Sequence, residues 1–140
     1  QIGQVQISLI SKFMSVECIS MNILVAEDDQ FLLKVYKQHL EVAGHNVSIC
    51  DSGEEALDVA KKDVPDLIIL DLILPGKDGF AILEELKSNP ETQDVPVIML
   101  TNVNQKVDRD HGLKLGAAEY ISKDEVQEGS LVEIIGKYSK

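Results

Sequence analysis

From Met21 onward, short apolar runs alternate with longer stretches in which hydrophobic residues recur every three or four positions. That is the pattern of repeated βα units feeding a parallel sheet. Five runs stand out, Asn22 to Ala26, Asn46 to Cys50, Asp66 to Leu70, Val97 to Leu100 and Ala118 to Ile121. Each is rich in Val, Ile or Leu, as burial on both faces of a sheet demands. The intervals predict helices. The first covers about Phe31 to Ala43, with Leu32, Val35, Tyr36, Leu40 and Ala43 on one stripe and Gly44 as its stop. Ser52 and Glu55 have the spacing of a capping box that opens the second. A third runs from about Gly79 to Lys87 behind Asp78 as cap, and a fourth from about Gln105 to Leu115, closed by Gly116. The fifth follows Gly129, with Leu131 to Tyr138 as its dependable part and Ser130 and Glu133 as another capping box.

Five such units predict an α/β fold with helices on both faces of an open five-stranded parallel sheet, because right-handed crossovers place them so and five strands are too few to close a barrel. Ligands in such sheets sit outside the carboxyl ends of the strands. Chemistry is therefore sought there.

The first 20 residues read differently: Val5, Ile7 and Leu9 alternate with Gln6 and Ser8, and no basic leader precedes an apolar stretch, so no secretory signal is read. An engineered leader, an upstream linker and a processed remnant stay open as origins, and an added edge strand or a partner contact is the hypothesis for its role.

Charge and length narrow the classes. The chain has 140 residues, with 24 acidic against 13 basic side chains and a net charge of -11. A chain of this size is one domain that buries roughly 70% of its unfolded surface. Its single arginine, Arg109, and the short basic pair Lys61 and Lys62 make direct nucleic-acid binding an unexpected role. Apolar runs of about four residues fall far short of the ~20 that a membrane helix needs. Cys18 and Cys50 lie far apart without a ligand cluster, which argues against a disulfide framework or a structural zinc and for a reducing cytoplasm.

At the strand ends stand Glu27, Asp28 and Asp29 after the first run, Asp71 after the third, Thr101 after the fourth and Lys123 after the fifth. If the first and third strands are neighbours, several carboxylates share one pocket, and each like-charge pair at about 4 Å costs about 4 kcal/mol at an effective dielectric of 20. Such a pocket needs a cation. One or two hard carboxylates, waters and a phosphate suit Mg²⁺, whereas Ca²⁺ wants more oxygens. Taken singly the residues have plainer readings: Glu27 to Asp29 as acids at a helix N-terminus, Asp71 as a turn former before Pro75 and Gly76, Thr101 as a loop hydroxyl, Lys123 as solvated surface and Tyr120 as a strand aromatic. Their joint fall at one sheet edge favours a site. His39, His45 and His111 have no partner nearby in sequence and are read as surface residues.

The segments LVAEDD at Leu24 to Asp29, LIILDLILPGKDG at Leu67 to Gly79, VIMLT at Val97 to Thr101 and YISK at Tyr120 to Lys123 resemble, in order and spacing, a response-regulator receiver domain of two-component signalling. The resemblance covers about residues 22 to 138 and assigns 21–140 to a receiver domain of flavodoxin-like fold with strand order 2-1-3-4-5. It implies that Asp71 accepts a phosphoryl group from a phosphohistidine of a sensor histidine kinase or phosphotransfer protein. It further implies Mg²⁺ as cofactor on Glu27, Asp28, Asp71 and the backbone carbonyl of Ile73. Lys123 would pair with Asp71 and then with the phosphoryl group, and Thr101 would donate its hydroxyl to that group. The pull on Thr101 would empty space into which Tyr120 turns, and the fourth helix, fifth strand and fifth helix would form the output or homodimer surface. The chain is then a phosphorylated switch that participates in its own phosphotransfer, and not an enzyme in its own right. No output domain is read after Tyr138; a stand-alone regulator, a relay intermediate and a piece of a larger protein stay open.

Three positions depart from the commonest receiver pattern. Asp124 stands in place of a proline after Lys123, Asn102 replaces a smaller residue, and Gly129 interrupts the last helix. The first loosens the Lys123 loop and lets Asp124 and Glu125 compete for the lysine; the second crowds the phosphoryl pocket. Ile73 and Val103 offer no polar atom to orient water, which predicts slow loss of the phosphate. A receiver-like interaction module that is never phosphorylated is the rival of a different class. An Asp-nucleophile phosphohydrolase lacks a second acid, since Ile73 stands two residues after Asp71, and a flavin site lacks a hydroxyl-rich loop after the first strand.

Overall fold

The computed structural model describes residues 19–126 and 130–139. Expectations for residues 1–18 and for Gly129 lie outside the described residues.

Five strands, β1 (Asn22–Ala26), β2 (Asn46–Cys50), β3 (Leu67–Leu70), β4 (Val97–Thr101) and β5 (Glu119–Ser122), form one parallel sheet in the order β2-β1-β3-β4-β5. Between and after them run α1 (Gln30–Val42), α2 (Gly53–Lys62), α3 (Gly79–Ser88), α4 (Lys106–Lys114) and α5 (Ser130–Gly136), with a 3-10 turn at Lys123–Glu125. Side chains of β1, β3 and β4 alternate between two cores, as the period of two along a strand requires. Leu24, Ile68, Leu70, Val97 and Met99 meet Ala56 and Leu57 of α2 and Ile82, Leu83 and Leu86 of α3. Ile23, Val25, Leu67, Ile69, Ile98 and Leu100 meet Leu33, Tyr36 and Leu40 of α1 and Leu131 and Ile135 of α5. The edge strand β2 is largely exposed except at Cys50.

The helix ends follow the side-chain chemistry of the sequence. Asp29 Oδ1 accepts from the Phe31 and Leu32 amides, Asp78 Oδ1 from Ala81, and Ser52 Oγ from Glu55, which satisfies donors that the first turn leaves free. After α1 and α4 the chain turns through Gly44 at φ 101° and Gly116 at φ 112°, a left-handed conformation that a Cβ disfavours.

Strand limits differ from the sequence expectation by a residue. Asp66 stays outside β3, its carboxylate accepting the Asn22 amide at 2.8 Å, because a central strand buried on both faces has no room for it. Thr101 and Ser122 extend β4 and β5 and are paired in register. Their hydroxyls are consumed locally, Thr101 Oγ1 accepting from Val103 N and Ser122 Oγ from Asp124 N, so the strands bury them. His45 is also a correction: it is buried, and its Nδ1 accepts the Met21 amide at 3.1 Å. Among the described residues no helix is long and apolar enough to cross a membrane.

Candidate functional site

Neighbouring strands deliver the acids. The Glu27 amide donates to the Cys50 carbonyl at 3.1 Å and the Asp71 amide to the Ala26 carbonyl at 3.0 Å, so the ladder continues one residue past β1 and β3 and fixes both backbones at the carboxyl edge. Gly79 packs behind Asp71: a Cβ there would lie 2.4 Å from the Asp71 carbonyl oxygen, so only glycine lets α3 begin this close to the end of β3. Carboxylate oxygens of Glu27, Asp28 and Asp71 all lie within 4.8 Å of one another. Glu27 and Asp71 are 2% and 4% exposed, while Asp28 faces solvent.

Lys123 supplies the counter-charge. Its Nζ donates to Asp71 Oδ2 at 2.8 Å and forms an ion pair with Glu27. Burial works against the ammonium, but the hydrogen bonds to Asp71 and Glu27 outweigh it and hold the Lys123 pKa above the ordinary value. At Glu27 burial dominates and pushes the carboxyl up, against the pull of Lys123 and the Asp29 amide. The second Asp71 oxygen accepts the Ile73 amide at 3.2 Å. The Ile73 side chain is 59% exposed at the rim. Three hard oxygen donors this close, two of them buried, form a donor set that fits a small divalent cation.

Thr101 is fully buried beside β5, the strand that leads to Lys123, and the Val103 carbonyl accepts the Tyr120 hydroxyl at 2.6 Å. Thr101, Val103 and Tyr120 are thereby linked in series. The Tyr120 ring is already turned inward, 4% exposed, in a socket left by Gly112, where a Cβ would sit 2.8 Å from the ring. The Asn102 side chain is exposed. Glu125 does not compete for Lys123, since it pairs with Arg109.

Two participants were not legible in the sequence. Arg109 lies over Tyr120, its Cζ 5.9 Å from the ring centroid, and donates to Asn104 and Glu125. Tyr36 of α1 is buried close to the site, and burial, opposed by Lys123 and reinforced by Glu27 and Asp71, holds its phenol above the ordinary value. Arg109 is 38 residues from the nearest of the acids in sequence, and packing of α4 brings it near, while Tyr36 is carried to the site by the helix that follows Asp29.

Comparison with known proteins agrees with this geometry. The family model described as the response regulator receiver domain matches residues 23–136. The transcriptional regulatory protein CpxR of Escherichia coli K12 is 41% identical over 101 residues, 72% of this chain and 42% of CpxR. A putative response regulator from Chloroflexus aurantiacus superposes with a TM-score of 0.79 at 30% identity, covering 86% of this chain and 98% of that one. The receiver domain of the sensor histidine kinase PA1611 from Pseudomonas aeruginosa, solved with a magnesium ion in its active site cleft, gives 0.78 at 27% identity, with coverage of 86% and 98%. The chain spans less than half the length of the curated relatives it matches, which include the response regulator PleD of Caulobacter vibrioides at 23% and CpxR at 42%. With its strand order, its buried acids and the family match over most of its length, the chain belongs to the response regulator receiver domain family of two-component signalling.

Proposed function

We propose that Asp71 is the phosphoacceptor of this receiver domain. The observation that carries the reading is the buried Asp71 carboxylate with one oxygen on Lys123 and the other on the Ile73 amide, beside two further acids. An Asp71 oxygen attacks phosphorus, the P–N bond to the donor imidazole breaks, and the imidazole keeps the electron pair; the product is an acyl phosphate. The new group brings roughly two negative charges and three acceptor oxygens. Lys123 neutralises one oxygen and the Thr101 hydroxyl turns from its local contact to donate to another.

Glu27, Asp28 and Asp71, with the Ile73 carbonyl, are the residues that would hold Mg²⁺, with Glu27 acting in part through water; the bound ion supplies neutralisation of the equatorial phosphoryl charge. The partner is a sensor histidine kinase or phosphotransfer protein, and α4, β5 and α5 form the surface for an effector or a second copy. This acidic segment makes no direct nucleic-acid contact of its own, as its net charge of -11 suggests. It works as a switch in the cytoplasm, where the free, buried Cys50 stays a thiol.

Amide spectra recorded on adding Mg²⁺ and beryllofluoride test the reading. Shifts at Thr101, Tyr120 and Lys123 that vanish in Asp71→Asn are expected. A silent parent protein would favour the interaction module that is never phosphorylated.

A further inference from the structure

The lysine that reaches Asp71 sits at the start of a short turn. Lys123–Glu125 is a single 3-10 turn, fixed by Asp124 N on Ser122 Oγ at 3.3 Å and Val126 N on the Lys123 carbonyl at 3.3 Å. Two acids, Asp124 and Glu125, follow the ammonium directly, and a flexible carboxylate this close in sequence is a natural competitor for it. Yet Lys123 pairs with Glu27 and Asp71. Glu125 is drawn the other way, its Oε1 3.1 Å from the Arg109 guanidinium.

Arg109 does this from α4 with three contacts. The same Nη2 donates to Asn104 Oδ1 at 3.0 Å, in the loop after Thr101, and the guanidinium lies against the Tyr120 ring. A planar group with donors on several edges can hold an amide, a carboxylate and an aromatic face at once, which an ammonium cannot. We propose that Arg109 is a positioning residue for the Lys123 loop: by holding Glu125 against α4 it reserves the Lys123 ammonium for Asp71. The proposal deepens the phosphoacceptor reading and rests on it for its effect on rate, although the contact it protects exists before any phosphate arrives.

The test compares the parent, Arg109→Ala, Arg109→Lys, Glu125→Gln, the double variant Arg109→Ala with Glu125→Gln, and Asp71→Asn, all in the whole chain. Two readouts are taken: formation of the acyl phosphate from acetyl phosphate with Mg²⁺, and the side-chain ammonium resonance of Lys123 without metal or phosphodonor. Arg109 and Glu125 are both partly exposed, so a loss of about threefold to fivefold in rate is expected for Arg109→Ala. Arg109→Lys should recover part of it. The double variant should return to the parental rate, because Glu125 without its charge no longer competes; a defect of packing alone would not be repaired by that second change. The Lys123 resonance should move in Arg109→Ala and return in the double variant. A parental rate and resonance in Arg109→Ala, or a defect that Glu125→Gln leaves in place, would overturn the proposal. Should the parent, like Asp71→Asn, take up no phosphate, the phosphoacceptor reading falls, and the Lys123 resonance still decides the role of Arg109.

Discussion

Lys123 holds together a group of charges that would otherwise repel. Two buried acids flank one ammonium, at 2.8 Å in the case of Asp71, and a buried carboxylate left without its partner is costly. Lys123→Ala is therefore expected to slow acyl phosphate formation by roughly tenfold or more, read from the time course of phosphate incorporation. His45 gives a second residue-scale prediction. Its Nδ1 must stay unprotonated to accept the Met21 amide, and burial holds its pKa below the ordinary 6.5. The unfolded chain therefore takes up this proton first, so the contribution is complete above pH 6.5 and is lost as pH falls below it. Urea midpoints on either side of pH 6.5 should diverge more in the parent than in His45→Asn. Ile73, apolar and exposed beside Asp71, has no polar side-chain atom that could orient a water, so in the proposed acyl phosphate Ile73→Asn is expected to shorten the lifetime.

Among the elements, the junctions show what the sequence discloses and what it hides. The five strands were visible because Val, Ile and Leu are packed into short runs, and the caps at Asp29, Ser52 and Asp78 because an acid or hydroxyl before an apolar stripe has one obvious use. The residues that position the site were harder to see. Thr101 and Ser122 are polar, yet β4 and β5 take them in as their last residues because each hydroxyl finds a neighbouring amide. Gly112 looks like a helix weakness and is instead the socket of Tyr120. Arg109 reads as a surface charge between two aspartates, and its partners, 5 and 16 residues away, meet it only once α4 docks. Gly112→Ala places a methyl 2.8 Å from the ring and should displace Tyr120 at a cost of about 1–3 kcal/mol. Loss of protection of the Val103 loop in hydrogen exchange, alongside a lowered urea midpoint, is the expected result.

The whole molecule sets these parts in place through its sheet order. Because β1 and β3 are adjacent, acids 44 residues apart in sequence, Glu27 and Asp71, end on neighbouring strands, and because β4 and β5 are adjacent, Thr101 is in register with the residue before Lys123. The rigidity of this edge comes from the two cores beneath it. Leu83, fully buried between α3 and the sheet, should cost about 2–5 kcal/mol when cut to alanine, seen as a lower denaturation midpoint with the order of the strand ends kept. On the proposed reading, the carboxylate of Asp71 takes the phosphoryl group. Intact mass after incubation with acetyl phosphate and Mg²⁺ tests it most directly: the parent is predicted to gain one phosphoryl group, lost on treatment with hydroxylamine, and Asp71→Asn to gain none. An unmodified parent, or a variant modified as fully as the parent, would contradict it.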